Sequence, residues 1–355
     1  MTAPAVARAW QVVRHGEPLE ALELRDAPVP APGPGRLLVR VSACALNFPD
    51  VLLARGQYQV RPAVPFTPGI ELVGMVAAVG DGVTGFAVGD RVLGMPELPH
   101  GALAEFAVTV AATTFAAPPE LDDAEASALY VGYQTGWFGL HRRARLQRGE
   151  TVVVHAAAGG VGSAAVQLGR AAEARVVAVV GGAAKADVAR ALGADEVVDR
   201  HACSDVAGLV TALKAACGPR GADVVYDPVG GDAFAASTKV VAFEGRIVVV
   251  GFTSGTIPQA ATNHLLVKNY GVLGLHWGAY QGAAPQLVRN AQREIEGLVR
   301  SGSVRPLVSE RVGLQDVPQA LQRLASGRTT GRVVVRVAGA AEGHGKGHGK
   351  GASRG

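Results

Sequence analysis

A glycine-rich turn is the part of the sequence best suited to bind a phosphate group. Residues 151–162 read TVVVHAAAGGVG, which predicts a buried strand, a tight turn and the start of a helix whose N–H groups and dipole attract anions. Gly159 and Gly162 take the second and third glycine positions of the dinucleotide-binding fingerprint, and Ala157 takes the first. A helix start that is merely rich in glycine and alanine is the alternative, but the preceding strand and the following βα unit weigh against it. We predict a dinucleotide pyrophosphate at Ala157, Gly159, Gly160, Val161 and Gly162.

The end of the next predicted strand indicates which dinucleotide binds. Enzymes that prefer NAD place an Asp or Glu there, about twenty residues after the glycine turn, to bond the ribose hydroxyls. This sequence has Gly181, Gly182 and then Lys185, with no acid among them. An ordinary solvated lysine is the alternative interpretation of Lys185. The preference for NADPH therefore depends mainly on the missing acid. These residues predict NADPH in preference to NADH.

Composition narrows the class of protein. The chain has 355 residues, 48% of them hydrophobic, which is enough for a large core and two domains. The net charge of +4 is weak evidence for nucleic-acid binding, because half of it lies in the tail after residue 339. The three cysteines, Cys44, Cys203 and Cys217, are far apart in sequence, as suits a reducing compartment. We expect a cytoplasmic protein without a secretory signal or a membrane span.

The predicted elements around the turn change in character along the chain. Up to about residue 125, short apolar runs alternate with glycine and proline, which predicts a strand-rich domain. From about residue 130 to 300, strands and helices alternate, as in βαβ units on a parallel sheet. Short strands return after residue 301, so we expect the last segment, 331–337, to rejoin the first domain and the nucleotide domain to be an insertion. The strands predicted in that insertion are Thr151–His155, Arg175–Val180, Asp223–Asp227 and Arg246–Gly251.

The C-terminal tail repeats a His-Gly-Lys-Gly unit over residues 344–351. Glycine and charge without apolar residues cannot form a core, so we predict disorder for residues 339–355. Metal binding by the two histidines of the repeat is the alternative.

Five segments of the sequence resemble one enzyme family. They lie at residues 46–50, 65–71, 89–92, 133–137 and 155–162, and they read LNFPD, PFTPGIE, GDRV, YQTGW and HAAAGGVG. Together they resemble the quinone oxidoreductase branch of the medium-chain dehydrogenase/reductase superfamily, with matches over nearly all of residues 8–337. The resemblance implies an α/β fold in which a Rossmann-type, doubly wound parallel sheet domain (residues 129–297) is inserted in a strand-rich GroES-like catalytic domain (residues 1–128 plus 298–338).

Two positions set the sequence apart from the zinc-dependent members of the superfamily. Those members carry a cysteine where Asn47 stands and a histidine where Ile70 stands, so two of the expected ligands are absent. Their closely spaced cysteines after the GDRV segment are also missing. Without a Lewis acid to stabilise an alkoxide, zinc-dependent alcohol oxidation is not expected. We predict no metal site.

The resemblance places Asn47, Asp50 and Tyr58 around the nicotinamide and the substrate. An amide N–H of Asn47 or the Tyr58 hydroxyl would hydrogen-bond the carbonyl oxygen as negative charge develops there, and Asp50 would orient a neighbour or bond a ribose hydroxyl. Two structural alternatives stay open: Asn47 could cap a helix that starts at Pro49, and Tyr58 could be a packing residue. Leu52 stands where some relatives have a second tyrosine, which predicts a more apolar pocket.

Further cofactor contacts are implied by the same resemblance. Segments 251–255 and 273–277 resemble those that flank the nicotinamide, Tyr133 and Tyr270 could lie near the phosphates, and Arg332 matches a basic position toward the 2′-phosphate. Core or surface roles are the alternatives, above all for His276 and Arg332. The contacts predicted in this way are Tyr133, Thr135, Phe252, Thr253, Leu275, His276, Trp277 and Arg332.

These features predict hydride transfer from NADPH to a quinone or a related conjugated carbonyl compound, in which the enzyme supplies proximity, orientation and hydrogen bonds. A reductase of enoyl thioesters or enones is the alternative, with the arginines between residues 142 and 148 as an entry for a coenzyme A phosphate. An RNA-binding or structural protein that retains NADPH, as crystallin-like members of the family permit, is an alternative of another class, which the weak charge opposes. By resemblance we expect a homodimer joined through an edge strand of the nucleotide sheet.

Overall fold

The structure, a computed structural model, describes residues 3–337. The tail after residue 337, with its predicted disorder and its metal-binding alternative, lies outside the described residues. The strands are β1 (Val6–Val12), β2 (Leu22–Pro28), β3 (Arg36–Ala45), β4 (Leu72–Val79), β5 (Arg91–Gly94), β6 (Phe106–Val110), β7 (Phe115–Ala116), β8 (Thr151–Val154), β9 (Arg175–Val180), β10 (Glu196–Asp199), β11 (Ala222–Asp227), β12 (Val241–Val249), β13 (Gly271–Gly274), β14 (Val308–Gly313) and β15 (Arg332–Arg336).

The α-helices are α1 (Pro18–Ala21), α2 (Phe48–Ala54), α3 (Asp123–Ser127), α4 (Tyr130–Trp137), α5 (Gly160–Ala171), α6 (Ala183–Ala191), α7 (Val206–Cys217), α8 (Gly231–Val240), α9 (Thr262–Lys268), α10 (Gly278–Ala283), α11 (Pro285–Arg300) and α12 (Val317–Ala325). A π-helix (Phe138–Arg143) continues α4.

A six-stranded parallel sheet forms the centre of the inserted domain. Its strand order is β10-β9-β8-β11-β12-β13, so the order reverses between β8 and β11. Strands β8, β9 and β11 are buried along almost their whole length, which is why they read as continuous apolar runs. Ligands of such sheets bind outside the carboxyl ends of the strands, where the order reverses. The glycine-rich turn follows β8 and therefore lies at this point.

A second, seven-stranded sheet combines the two ends of the chain. Strand β3 pairs antiparallel with β4 and β6 from the first part of the chain and with β15 from the last part. Strand β14 lies parallel to β15, and the β1–β2 hairpin forms a small sheet of its own. The predicted insertion is confirmed, because the parallel sheet, from Thr151 to Gly274, interrupts the strands of this second sheet.

The four strands predicted for the nucleotide domain are all present, and one of them is displaced. Strand β9 has the predicted limits, and β8 and β11 differ by single residues. Strand β12 begins at Val241 instead of Arg246. Phe243 is exposed and Glu244 has a positive φ of 58°, with its N–H donating to the carbonyl oxygen of Asn269 at 2.7 Å. This irregular start lacks the buried apolar run on which the prediction depended.

Two connections join the domains, one through α3 and α4 and the other through α11. Helices α4 and α11 are joined by buried glutamines, since Nε2 of Gln134 donates to the carbonyl oxygen of Val288 and to Oε1 of Gln292, both at 3.1 Å. The predicted boundary between the nucleotide domain and the last catalytic segment, at residues 297/298, falls inside α11, which ends at Arg300. The exact domain boundaries stay predictions. Within residues 3–337, none of the helices combines the length and the apolar character needed to cross a membrane.

Candidate active site

Steric contacts explain the glycines in the turn between β8 and α5. Ala156, within the turn, has a left-handed φ of 48°. A Cβ on Gly162 would overlap the carbonyl oxygen of Ala156, and a Cβ on Gly160 would lie 2.9 Å from Nη1 of Arg332. Helix α5 begins at Gly160, and the first N–H groups of an α-helix have no partner inside the helix. The turn therefore presents N–H groups at the carboxyl edge of the sheet, where a phosphate can accept them.

The last strand of the catalytic domain begins directly beside this turn. The N–H of Gly331 donates to the carbonyl oxygen of Ala158 at 2.7 Å, and Gly331 forms a bridge with Gly159. Gly331 has a positive φ of 57°, and a Cβ there would meet the backbone of Leu307. Because Arg332 is the next residue, its side chain lies beneath the turn.

A buried ion pair, formed by Arg332 and Glu71, lies below the turn. Arg332 is 4% exposed and Glu71 is fully buried, and Nη2 of Arg332 donates to Oε2 of Glu71. The position predicted for Arg332 was wrong in one respect: its guanidinium lies against Gly160, on the pyrophosphate side, and not at the 2′-phosphate end. The surface alternative for Arg332 was also wrong. Sequence reasoning gave Glu71 no role, because its partners are distant along the chain.

The amide of Asn47 is fully engaged with this ion pair. Nδ2 donates to Oε2 of Glu71 and to the carbonyl oxygen of Ala45, both at 3.0 Å, and Oδ1 accepts from Nη1 of Arg332 at 2.6 Å. An amide has two N–H hydrogens, and both are used. Direct donation from Asn47 to a substrate carbonyl, as predicted, is therefore not available in this arrangement.

Asn47 also stands at the N-terminal end of helix α2, as the structural alternative predicted. Its side chain turns to Glu71 and Arg332, and the helix start is stabilised instead by Asp50. Oδ2 of Asp50 accepts the N–H of Asn47 at 2.8 Å, and Oδ1 accepts the N–H of Gly69 at 3.0 Å. Asp50 thus fixes the backbone at two places, Asn47 before α2 and Gly69 before β4.

Burial controls the protonation of the groups around Asp50. It raises the pKa of Asp50 to about 7, although the two N–H donors and Arg332 oppose the rise. Burial also raises the pKa of the Cys44 thiol well above its usual range, with Asp50 and Glu71 adding to the effect. Tyr58 is half-buried against the core, and burial, followed by the charge of Asp50, raises the pKa of its hydroxyl. Cys44 therefore stays a thiol, and Tyr58 stays a hydrogen-bond donor at neutral pH.

Two buried donors on the side of the cleft that includes α5 have no acceptor within residues 3–337. They are Nε of Arg332 and the hydroxyl of Tyr133. Gln167 lies near Tyr133, but both ends of its amide bond the backbone of Arg305, at 3.0 and 2.7 Å. A buried donor without an acceptor costs about 1 to 3 kcal/mol. Nε of Arg332, the glycine cradle and the helix N-terminus therefore fit the diphosphate of a dinucleotide.

A basic cluster surrounds the end of β9, where the sequence predicted the ribose site at Gly181, Gly182 and Lys185. Nζ of Lys185 donates to the carbonyl oxygen of Gly327 at 2.9 Å. Nε of Arg200 and Nε2 of His201 lie 3.3 and 2.9 Å from where a Cβ on Gly181 would stand. Sequence reasoning missed Arg200 and His201, which follow the neighbouring strand β10.

The same cluster contains an acid that the sequence prediction did not foresee. Oδ1 of Asp199 accepts the N–H of Gly182 at 2.8 Å and the N–H of His201 at 2.9 Å. The prediction of a site without an acid was therefore wrong: no acid is near Gly182 in the sequence, but Asp199 at the end of β10 lies beside it in the structure. These hydrogen bonds, and the adjacent charges of His201 and Arg200, lower the pKa of Asp199. Arg200 acts on this carboxylate and also, by like charge, lowers the pKa of the nearby Lys185, after burial.

The segments predicted to flank the nicotinamide meet at the carboxyl ends of β12 and β13. The N–H of Leu275 donates to the carbonyl oxygen of Val249 at 2.9 Å, which holds the two segments together. Phe252, Thr253 and His276 are exposed, whereas Leu275 and Trp277 are buried.

Trp277 reaches the junction of the two domains. Its indole packs edge-on against Tyr130, with ring centroids 5.2 Å apart, and in the described part of the chain its Nε1 has no acceptor. The backbone of Tyr130 in turn contacts Glu71. Tyr130 therefore lies between Trp277 and the buried ion pair.

Two predicted contacts are not brought to the cleft. The hydroxyl of Thr135 donates to the carbonyl oxygen of Val131 inside α4, at 2.6 Å. Tyr270 precedes β13, so it lies at the amino edge of the sheet, opposite the glycine turn, and its hydroxyl pairs with Nδ1 of His264 at 3.1 Å. A role for Tyr270 near the phosphates is excluded by this position.

Comparison with known proteins agrees with this geometry. Residues 33–119 match the family described as alcohol dehydrogenase GroES-like domain, and residues 160–293 match zinc-binding dehydrogenase. Quinone oxidoreductase-like protein 2 of Bos taurus is 37% identical over 315 residues, which are 88% of this chain and 87% of that protein. The chain belongs to the quinone oxidoreductase branch of the medium-chain dehydrogenase/reductase superfamily. It is an oxidoreductase of this superfamily.

Solved structures of similar proteins extend the agreement over the whole fold. The quinone oxidoreductase of Pseudomonas syringae pv. Tomato DC3000 has a TM-score of 0.84 at 34% identity and covers 93% of this chain and 100% of its own. A mycobacterial protein determined in complex with NADPH has a TM-score of 0.86 at 30% identity, with the same coverage of both chains. The likeness therefore includes both domains of this medium-chain oxidoreductase.

Two of the arginines that were considered as a coenzyme A entry of this oxidoreductase, Arg145 and Arg148, lie away from the cleft. Arg145 and Arg148 precede β8 and so lie at the amino edge of the parallel sheet, whereas the glycine turn follows its carboxyl edge. Arg148 pairs with the exposed Glu173 at 2.8 Å. Arg143 differs, because its Nε donates to the carbonyl oxygen of Gly274, the last residue of β13, at 3.1 Å. Arg145 and Arg148 therefore give no support to a thioester substrate.

Proposed function

We propose that the chain is an NADPH-dependent, zinc-independent reductase that transfers hydride to quinones or related conjugated carbonyl compounds. The observation that carries the proposal is the position of Arg332. Its guanidinium lies beneath the glycine turn and also contacts Asn47, so one buried cation links the diphosphate side of the cleft to the substrate side. The NADPH complex of the mycobacterial relative and the name of the Pseudomonas enzyme support the cofactor and the acceptor class.

In this proposal the cofactor lies along the carboxyl edge of the parallel sheet. The N–H groups at the start of α5 and the donors of Arg332 and Tyr133 bind the diphosphate. Bound NADPH supplies the hydride from its dihydronicotinamide ring. The 2′-phosphate contacts are Gly181, Gly182, Lys185, Arg200 and His201, the turn contacts are Ala157, Gly159, Gly160, Val161 and Gly162, and the nicotinamide contacts are Phe252, Thr253, Leu275, His276 and Trp277.

Tyr58 is the residue to which we assign donation to the substrate carbonyl. Its hydroxyl is protonated at neutral pH and lies near Asp50, whose charge acts on the pKa of Tyr58. Such a donor stabilises the negative charge that develops on oxygen as hydride arrives at the conjugated system. Asn47 and Asp50 act as positioning residues, because their polar atoms are bonded within the protein.

Zinc independence is supported by the chemistry of the residues at the expected ligand positions. Ile70 has no lone pair, and the amide of Asn47 is engaged with Glu71 and Arg332. An acceptor that is already electron-poor, such as a quinone, needs no Lewis acid for hydride attack.

We extend the proposal to a cytoplasmic homodimer. Strand β13 is an edge of the parallel sheet, and α9 before it exposes Leu266 (77%) and Val267 (76%). An open edge beside apolar side chains favours pairing with another chain. Light scattering should give twice the mass of the chain, and Leu266→Lys combined with Val267→Lys should give the single mass. A wild-type protein of single mass would remove this part of the proposal.

The test of the main proposal is steady-state oxidation of NADPH and NADH by chelator-treated protein, offered ortho- and para-quinones, simple enones and enoyl-coenzyme A esters. We expect turnover with NADPH and quinones, unchanged by the chelator. Preference for enones or thioesters would transfer the function to a C=C reductase. Activity that disappears with chelator and returns with zinc would contradict the proposal.

A matched pair of tyrosine variants locates the donor. Tyr58→Phe should lower kcat with quinones by about tenfold or more, because one hydrogen bond to developing charge is lost. Tyr270→Phe removes a hydroxyl at the amino edge of the parallel sheet, opposite the glycine turn, and should leave kcat unchanged. Equal activity of both variants and the wild type would show that Tyr58 is a packing residue.

A further inference from the structure

Glu71 occupies a central place in the cleft that the reaction described above does not use. It directly precedes β4 and is fully buried. Its Oε2 accepts from Nη2 of Arg332 and from Nδ2 of Asn47 (3.0 Å), and its Oε1 accepts the N–H of Val131 at 2.7 Å. One carboxylate therefore binds the last strand of the catalytic sheet, the start of α2 and the first turn of α4.

Arg332 is paired with Glu71, and part of its guanidinium faces the glycine turn. Its Nη2 is bound to Glu71, while its Nε, which has no acceptor within residues 3–337, and its Nη1 lie beside Gly160 at the start of α5. A diphosphate on the turn would attract the same guanidinium, since an arginine fork suits phosphate as well as carboxylate. Glu71 therefore keeps Arg332 paired, and thereby sets how strongly it can attract a diphosphate.

Glu71 also decides the orientation of the Asn47 amide. Its carboxylate can only accept, so the NH2 group of Asn47 must face it and Oδ1 must face Arg332. The amide cannot turn over without losing both hydrogen bonds. The substrate side of the cleft is thus fixed by the same carboxylate that holds the arginine.

We propose that Glu71 is a positioning residue that restrains Arg332 before the cofactor binds and fixes Asn47 for hydride transfer. The inference rests on the proposed function, because it assigns the diphosphate to Arg332 and the substrate side to Asn47. It predicts opposite effects on the two steps: removal of the charge strengthens cofactor binding and weakens catalysis. A role in folding alone predicts no strengthening of either step.

The test is Glu71→Gln, which keeps the size of the side chain and removes its charge. The Kd for NADPH, measured by fluorescence titration, should fall by about fivefold or more, because the diphosphate now neutralises an unpaired cation. At saturating NADPH, kcat with a quinone should fall by about tenfold or more, because the Asn47 amide is no longer fixed. Tm without ligand should fall, and the rise in Tm produced by NADPH should exceed that of the wild type.

Three controls make the result specific. Arg332→Met should abolish the gain in NADPH affinity when it is combined with Glu71→Gln, because the gain acts through that guanidinium. Glu105→Gln removes a carboxylate paired with Arg8 at the surface and should change neither Kd nor kcat. If Glu71→Gln does not fold, Glu71→Asp keeps the charge but is too short to reach all three partners, so it should keep the wild-type Kd and lose kcat.

Failure of this inference can be told apart from failure of the proposed function. Wild-type protein that binds neither NADPH nor inorganic pyrophosphate, or that reduces no quinone, would overturn the function. Wild-type protein that binds and turns over normally, with Glu71→Gln showing weaker or unchanged NADPH affinity, would overturn only the role of Glu71. Pyrophosphate alone should also raise the Tm of Glu71→Gln more than that of the wild type.

Discussion

The two sides of the cleft are built on different principles. The glycine turn between β8 and α5 is one continuous segment, and its limits are steric: a Cβ at Gly162 or Gly160 would collide with Ala156 or Arg332. The substrate side is assembled from Asn47, Glu71 and Arg332, which come together from three distant parts of the chain, and its limits are electrostatic. The turn should therefore be sensitive to added volume, and the substrate side to altered charge. The following predictions, in order of decreasing effect, test this contrast.

Arg332→Met should have the largest effect on stability. The change leaves Glu71 buried without its cation, and loss of one partner of a buried ion pair costs about 3 to 5 kcal/mol. Urea denaturation would measure the free energy of unfolding. Arg8→Met, which breaks an exposed pair with Glu105, should change it little. Similar losses of stability for both variants would contradict the idea that the substrate side depends on its buried charges.

Gly162→Ala should show the steric limit of the turn. The added methyl group meets the carbonyl oxygen of Ala156, so we expect a loss of about 2 to 3 kcal/mol in stability and no detectable NADPH binding by calorimetry. Gly297→Ala in α11 is the matched control, because within the described chain no atom lies near its added Cβ. It should stabilise the protein by about 0.5 to 1 kcal/mol. Normal NADPH affinity of Gly162→Ala would exclude close contact between cofactor and turn.

Asp50 should give the substrate side a pH dependence that the turn lacks. Burial raises its pKa from 3.8 to about 7, so its contribution to stability is full below pH 3.8 and is lost as the pH rises through 7. Between pH 5 and pH 8, the wild type should lose about 2 to 3 kcal/mol relative to Asp50→Asn, which does not titrate. Urea denaturation at both pH values measures the difference. Parallel profiles would show that Asp50 titrates normally.

Arg200→Ala should have the smallest of these effects and should act on cofactor choice alone. It removes a cation beside Gly181, so the preference for NADPH over NADH, as the ratio of kcat/KM values, should fall by about tenfold, or about 1.4 kcal/mol. Arg190→Ala removes an exposed arginine of α6 that pairs with Asp187, and it should leave the ratio unchanged. An unchanged ratio for Arg200→Ala would place the 2′-phosphate elsewhere.

The same contrast explains what could be predicted from the sequence. The buried run of β9 and the turn after β8 are local patterns, so their limits were predicted closely. Asp199 and Arg200 reach Gly182 and Gly181 only because β10 pairs with β9, and the intervening helix α6 hides that neighbourhood in the sequence. The acid was therefore missed, although Lys185 was found.

The substrate side was predicted only in part for a similar reason. The resemblance identified Asn47 and Asp50, and the helix start at residue 48 was foreseen as an alternative. The hydrogen bonds that occupy the Asn47 amide involve Glu71 and Arg332, which no local pattern connects. A buried charge in the motif at residues 69–71 was the available signal, since a buried carboxylate needs a partner.

The paired helices α4 and α11 have a mechanical consequence. The chain crosses between the domains twice, and hydrogen bonds of Gln134 and Gln292 fasten the two crossings to each other. Two connected crossings restrict the rotation of one domain relative to the other more than a single linker would. We therefore expect the cleft to open and close about one axis, so that Arg332 meets the glycine turn in the same register each time the domains close.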